Sequence, residues 1–471
     1  MPGPNILLIT TDQHNADILG CAGDPTARTP HLDRLAREGV RFREAYTPHS
    51  VCTPARTSIF TGQTADHHGV TYNINLREDR ADPPGWTGLA ADAMPFPEIF
   101  RRAGYHTSLF GKLHTKQAGT RNFGLETTRL AEGKGQFVEF GAAPDDYRRY
   151  LHQKGHPDSV WRTWEADGYA EDAWTRSELP LEDYIDTWTA TEALRHLETV
   201  DGPFCCWVSF SGPHPPWDPP APYDALFDPE SIPLPPRREG ELEEKHPDWV
   251  DCIAQTIAST PPRSRDPERE GGHAAAYARF PDRQIREMLA AYYGQIALID
   301  AQVGRLLELL DRRGLADSTL VVFTADHGDY LGRNWAFYKY GAQYASLSRV
   351  PLLVRCPGTV EAGVVRDEFV SLVDIAPTLL EAAALQPVDP MDGLSLAPLL
   401  ETASPVPPDW REHIVLNARS QCVVTPEWKY LRWPEGMEEL YDRREDPCEL
   451  RNLTDDPRTA SVREKLSALL D

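Results

Sequence analysis

Four apolar runs in this chain each end in a cluster of polar residues. Asn5–Thr10 leads into Thr11-Asp12-Gln13-His14, and Tyr105–Phe110 leads into Gly111-Lys112-Leu113-His114. Pro203–Ser211 leads into Gly212-Pro213-His214-Pro215, and Thr319–Thr324 into Ala325-Asp326-His327-Gly328-Asp329. Short apolar runs bounded by turn residues predict buried strands. Between them lie helical patterns. Thr29 caps a helix that starts at Pro30, buries Leu32, Leu35 and Ala36, and closes at Gly39. Pro95–Gly104, Leu181–Val200 and Asp374–Ala384 are further predicted helices. A long one is marked by Ile285, Met288, Leu289, Tyr292, Ile296, Ile299, Val303, Leu306, Leu307 and Leu310, and stops at Gly314. Strands are also predicted near Val40–Ala45 and over Val350–Cys356. The recurrence predicts an α/β fold: a large mixed, mostly parallel sheet flanked by helices on both faces. Sites in such sheets lie beyond the carboxyl ends of the strands, so Asp12, Lys112, His214 and Asp326 are expected to converge.

With 48 Lys+Arg against 72 Asp+Glu, the net charge of −24 excludes a nucleic-acid or anionic-membrane partner. An anionic substrate needs positive charge concentrated locally. The first ten residues carry no basic n-region, and no stretch is long enough to span a bilayer, so a cytoplasmic protein is expected. Eight cysteines at irregular spacing, with Cys205 and Cys206 adjacent, make no disulfide framework, and no CxxC pair suggests a zinc site. Residues 116–178 are aromatic, charged and poorly periodic, and read as an insertion covering a site. Residues 212–280, rich in proline and charge, read as a lid or a mobile loop.

The stretch Val51-Cys52-Thr53-Pro54-Ala55-Arg56-Thr57-Ser58-Ile59-Phe60-Thr61-Gly62 predicts a helix started by Pro54, whose missing N–H costs nothing in the first turn. Cys52 then lies at the helix N-terminus, where unpaired N–H groups favour an anion, and Arg56 follows one turn later. The alternative is a small buried cysteine in a capping turn.

Cys52-Thr53-Pro54-Ala55-Arg56 followed by Thr57-Ser58-Ile59-Phe60-Thr61-Gly62 resembles the signature of the type I sulfatases, formylglycine-dependent members of the alkaline phosphatase superfamily. The likeness runs in order from Pro4 to the tail, where Glu439-Leu440-Tyr441-Asp442 and Asn452-Leu453-Thr454-Asp455-Asp456-Pro457 are similar to a small antiparallel sheet with a helix. It implies a catalytic domain over residues 1–403 and an α+β subdomain over 404–471. It also implies that Cys52 is oxidised to formylglycine (3-oxoalanine) by a formylglycine-generating enzyme. Hydrated, that residue offers one hydroxyl to attack sulfur and a second whose deprotonation expels sulfate. By the same resemblance Asp12, Gln13, Asp326 and His327 hold one divalent metal, with calcium first and manganese, magnesium or zinc as alternatives. Cys52, Arg56, Lys112, His114, His214 and Lys339 are the implied catalytic residues. Asn73, Lys112, His214 and Lys339 are the implied substrate contacts. Lys112 and His114 form the family's Gly-Lys-x-His element, expected on an extended strand tip with both side chains pointing one way. The substrate is expected to be a small-molecule or carbohydrate sulfate ester, with oligomerisation left open.

Two departures stand out. Many members carry Asp-Asp where this chain has Asp12-Gln13, and Tyr-Glu where it has Tyr344-Ala345. Three other readings compete. A phosphonate monoester or phosphodiester hydrolase of the same fold shares the Asp-Gln pair but tends to replace the lysine and histidine of the Gly-Lys-x-His element with hydroxyl residues. A non-catalytic binding protein on this scaffold is the second. A bare-cysteine hydrolase using Cys52 and His214 is the third, and it leaves the metal cluster unexplained.

Overall fold

A computed structural model describes residues 3–73, 88–115, 122–133, 145–156, 176–247, 249, 274–276, 280–339, 342–401, 405–418 and 420–471. Its centre is an eight-stranded sheet in the order Val364–Arg366, Val40–Phe42, Leu352–Arg355, Thr319–Ala325, Asn5–Asp12, Phe204–Pro213, His106–Gly111, Thr127–Leu130. Only Leu352–Arg355 runs against its neighbours; every other pairing is parallel. The sheet is therefore large, mixed and mostly parallel, as the alternation of strands and helices predicts.

Successive side chains of a strand face opposite ways. Ile6 and Leu8 enter one apolar cluster with Val322 and Trp207, while Leu7 and Ile9 enter another with Val208 and Phe323. Helices Cys52–Thr61, Phe96–Arg102 and Ile375–Ala382 cover the first face. Helices Pro30–Arg37, Ile185–Thr199 and Asp282–Arg312 cover the second. The Phe60 ring lies 4.5 Å from that of Trp207 and 4.7 Å from that of Phe123, which pins the Cys52 helix to the sheet. Truncating such a buried aromatic costs about 3–5 kcal/mol.

The tail forms the expected small antiparallel sheet, ordered Ile414–Asn417, Gln421–Val424, Trp428–Arg432, Glu438–Asp442. Leu466 of helix Ala460–Ser467 packs on one face against Val423, Tyr430 and Leu440. The other face packs against Tyr46, Trp249, Tyr344 and Leu347.

Several expectations need correction. The strand predicted over Val40–Ala45 is two, because Ala45–Tyr46 leaves the main sheet to pair with Val370–Ser371. The stretch 116–178 is not only a cover. Its Thr127–Leu130 is the edge strand of the main sheet, and Asp146–Lys154 is a helix capped by the Asp145 carboxylate. Within 212–280, residues up to 247 are a packed strap rather than a mobile loop. Trp217 and Trp249 are buried, and Lys245 Nζ reaches Tyr441 Oη at 2.9 Å and the Glu449 carbonyl at 2.8 Å. The remainder of both stretches lies largely outside the described residues. No described helix is long and apolar enough to cross a membrane.

Candidate active site

The parallel register brings the strand tips together. Asn5–Asp12 pairs with Phe204–Pro213 on one side and Thr319–Ala325 on the other, so Asp12 sits opposite Pro213 and the Asp326 N–H reaches the Thr11 carbonyl at 3.1 Å. The helix carrying the cysteine starts at Cys52 itself, with Val51 as its extended cap, and every residue of Cys52–Thr61 is buried. Single ligand atoms of Asp12, Cys52, Asp326 and His327 all lie within 4.8 Å of one another. Cys52 Sγ is 3.3 Å from His327 Nε2 and 3.6 Å from Asp12 Oδ1.

Cations surround this group. Lys339 Nζ donates to Cys52 Sγ at 2.7 Å and lies 3.2 Å from His327 Nε2. Lys112 Nζ is in contact with Asp12 Oδ2. Arg56 Nε donates to Asp326 Oδ2 at 2.9 Å, its Nη1 donates to the Lys112 carbonyl at 2.9 Å and Ser209 Oγ at 2.7 Å, and its Nη2 lies 3.7 Å from Asp12 Oδ2. An acidic chain thus gathers positive charge around one buried cysteine, the local concentration that an anionic substrate needs. Burial raises the Asp12 carboxyl, but Lys112, His214, Lys339 and Arg56 outweigh it and hold the group well below the usual range. Burial and Asp12 push the Cys52 thiol up, and Lys339, Lys112 and His327 bring it below its ordinary value.

His214 is half-buried, with Nδ1 2.7 Å from the Pro215 carbonyl. Burial, then Lys339 and Lys112, push its imidazole well below the ordinary value. Burial, then Lys112 and Arg56, do the same to His114. His114 departs from the expected extended tip: its φ is +45°, left-handed, and its N–H donates to Glu132 Oε2 at 2.9 Å. Asn73 Oδ1 accepts from the Thr53 N–H at 3.0 Å, so its amide caps the Cys52 helix.

Gln13 also has a left-handed φ, +70°. Its Nε2 donates to Asp329 Oδ2 at 2.6 Å, and its buried Oε1 has no hydrogen-bond partner. A buried amide oxygen left bare on the residue that follows Asp12 suits a hard cation's donor set. Burial pushes the Asp329 carboxyl up to about 7, and its Oδ1 also accepts from the Leu331 and Tyr338 N–H groups. Asp329 and Glu132 were not among the residues expected to matter. Asp329 was in view, as the last polar residue of its strand tip, whereas nothing near Glu132 marks it. Where relatives carry glutamate and this chain has Ala345, the Ala345 N–H donates to Glu449 Oε2 at 2.8 Å and the Tyr344 hydroxyl to Glu439 Oε2 at 2.7 Å. Carboxylates from the C-terminal part of the chain, Glu439 in its last strand and Glu449 beyond it, stand at that point.

Comparison with known proteins gives the wider setting. Residues 4–385 match the Sulfatase family, and residues 333–471 match the family described as N-sulphoglucosamine sulphohydrolase, C-terminal. The chain belongs to the sulfatase family. It is a hydrolase of that family with the alkaline-phosphatase-like fold. An "Arylsulfatase" of Clostridium perfringens (strain 13 / Type A) is 31% identical over 96% of this chain and 90% of its own length. An "N-acetylglucosamine-6-O-sulfatase" of Bacteroides thetaiotaomicron is 25% identical over 99% of this chain and 86% of its own. Among solved structures, the phosphonate monoester hydrolase of Agrobacterium radiobacter superposes with a TM-score of 0.81 at 27% identity, covering 99% of this sulfatase-family chain and 94% of that one.

Proposed function

We propose that this hydrolase cleaves a sulfate ester, R–O–SO3− with water giving R–OH and sulfate, using a formylglycine made from Cys52 and one divalent cation. The observation that carries the reading is the setting of Cys52: a buried helix N-terminus, Lys339 Nζ at 2.7 Å, and Asp12, Asp326 and His327 within reach of a shared ion. Cys52 Sγ stands in for the oxygens of the modified residue. Asp12, Gln13, Asp326 and His327 would hold the cation. Three oxygen donors suit calcium, and the imidazole admits manganese or zinc. Held there, the cation would supply charge neutralisation for the sulfuryl group, and the hydrated aldehyde would supply the attacking hydroxyl.

The remaining residues divide the work. Arg56 directs its guanidinium at Asp326, Asp12, Ser209 and the Lys112 carbonyl, so it orients the carboxylates rather than the substrate. Lys112 and Lys339 hold the sulfuryl group as charge builds on it. Burial first, and then the neighbouring cations, keep His114 and His214 neutral. An anionic ester offsets those charges and raises both imidazoles, which favours either as the proton donor to the leaving oxygen. Asn73 lines the same helix start and takes part in substrate contact. A sulfated carbohydrate or small molecule is the substrate class we favour, in keeping with the relative named N-acetylglucosamine-6-O-sulfatase. Maturation requires a formylglycine-generating enzyme. We take residues 1–403 as the catalytic part and 404–471 as its C-terminal partner. We place the protein in the cytoplasm, in keeping with free thiols at all seven described cysteines.

A second reading, phosphonate monoester or phosphodiester hydrolysis, draws support from the Agrobacterium radiobacter likeness and the Asp12-Gln13 pair. Lys112 and His114 favour sulfate. Turnover of an aryl sulfate, a phosphodiester and a phosphonate monoester by one preparation decides between them. A higher kcat/KM for the sulfate supports the first reading, and a higher value for either phosphorus ester supports the second.

A further inference from the structure

A second cluster of guanidinium groups lies away from Cys52. Val40 and Phe42 pack into the apolar cluster on one face of the sheet, so strand alternation turns Arg41 to the other face. There a pocket of about 190 Å³ opens between the segment 16–22, Arg41–Arg43 and Arg349–Leu353. Arg43 Nη1 pairs with Asp367 Oδ1 at 2.9 Å. Asp17 is shared by Arg349 and by Arg333, whose Nη1 lies 2.6 Å from Asp17 Oδ2. Arg41 is half-buried and has no ion pair or side-chain hydrogen bond among the described residues. Three guanidinium groups, those of Arg41, Arg43 and Arg349, therefore line the pocket with one carboxylate, Asp17, in a chain whose net charge is −24.

Leaving Arg41 so is costly. Burial weakens its hold on its proton, and Arg43 and Arg349 add to that against Cys21 and Asp367. A planar guanidinium fork matches a tetrahedral oxyanion with two parallel hydrogen bonds. The pocket is smaller than the roughly 300–1,000 Å³ of sites for drug-sized ligands, which restricts the occupant to a small ion. We propose that the Arg41–Arg43–Arg349 pocket is a binding site for a small tetrahedral oxyanion, either sulfate released by this protein's own reaction or free phosphate. The oxyanion site itself does not depend on which ester is cleaved, and its assignment to product sulfate rests on the sulfate-ester reading.

Hydrogen bonds also link Asp17 of the pocket to a residue of the candidate active site. Asp17 N–H donates to Asn15 Oδ1 at 2.9 Å, and Asn15 Nδ2 donates to the Asp329 and Ser346 carbonyls at 2.9 and 3.1 Å. Asn15 lies two residues from Gln13 on the same segment.

The test is isothermal titration calorimetry of the full chain with sodium sulfate, and separately with sodium phosphate, at ionic strength fixed with sodium chloride. The background is Lys339→Ala, which weakens binding at Cys52. One oxyanion site is expected to persist in that background and to weaken at least about ten-fold when Arg41→Gln is added, the loss of one charge-assisted bidentate contact. Tighter sulfate binding assigns the site to the reaction product, and tighter phosphate binding assigns it to phosphate. Arg43→Gln, an exposed change, reports on the same pocket should Arg41→Gln not fold, with a several-fold weakening expected. No oxyanion binding in the Lys339→Ala background overturns the proposal. So does unchanged affinity in folded Arg41→Gln, or in Arg43→Gln where that variant stands in.

Discussion

Lys339 holds its Nζ 2.7 Å from Cys52 Sγ, deep in the protein and 287 residues along the chain. It is delivered there by strand Ala336–Tyr338, whose last residue has a left-handed φ of +67° and gives its N–H to Asp329 at 3.0 Å. The same Asp329 fixes the Gln13 amide. One buried carboxyl thus helps to position both the Lys339 cation and the bare Gln13 amide oxygen.

Lys339→Ala is expected to lower kcat for an aryl sulfate by about 10²–10³-fold, the scale of removing one preorganised donor from a reacting oxyanion. Circular dichroism should be unchanged. A kcat within about three-fold of the parent would remove Lys339 from the chemistry.

Metal removal gives an independent check. Dialysis against a chelator should abolish turnover, and calcium or manganese should restore it, with one ion per chain by elemental analysis. Asp326→Asn should lose the ion altogether. Asp329→Asn, which keeps an acceptor near Gln13, should bind it about 10–100-fold more weakly, as second-sphere changes do. Full activity with no bound ion would contradict the assignment.

Much of this site was legible in the chain. Asp12, Lys112, His214 and Asp326 were placed by one rule, that a buried parallel strand presents its next residues at the site. The direction of Leu352–Arg355 was not legible, because an apolar run reads alike both ways. Thr127–Leu130 was missed because a half-buried edge strand carries no apolar run. The left-handed turn at His114 had no glycine to announce it. Its partner Glu132 lies 18 residues away and meets it only through tertiary packing.

Glu132 should therefore matter through His114. Glu132→Ala removes the acceptor that holds the strained His114 backbone, and kcat for an aryl sulfate should fall about ten-fold or more. Glu132→Gln keeps an acceptor and should recover most of the loss. Equal rates in both variants would show that the contact has no catalytic bearing.

Asp300 offers a pH-dependent test of stability. Its buried carboxylate accepts from the His31 and Leu32 N–H groups at the start of helix Pro30–Arg37, and burial raises its pKa to about 7. The folded value lies above the unfolded one of about 3.9, so its contribution is full below about pH 4 and is lost as pH rises through about 7. Asp300→Asn removes that dependence. Urea unfolding should show the variant gaining on the parent by a few kcal/mol from pH 5 to pH 8. A constant difference across that range would contradict the raised value.

Selectivity should follow Lys112 and His114. The parent should turn over an aryl sulfate with higher kcat/KM than a phenyl phosphonate monoester. Lys112→Thr with His114→Thr should narrow that ratio at least ten-fold, about 1.4 kcal/mol of differential transition-state binding. An unchanged ratio would mean that the pair does not discriminate.

The most direct measurement is the mass of the tryptic peptide Glu44–Arg56 from a preparation that hydrolyses an aryl sulfate. The expected result is a peptide in which Cys52 has become an aldehyde, with the sulfur gone and a hydrazide probe attaching at that position. An intact thiol at Cys52 throughout an active preparation would contradict the account.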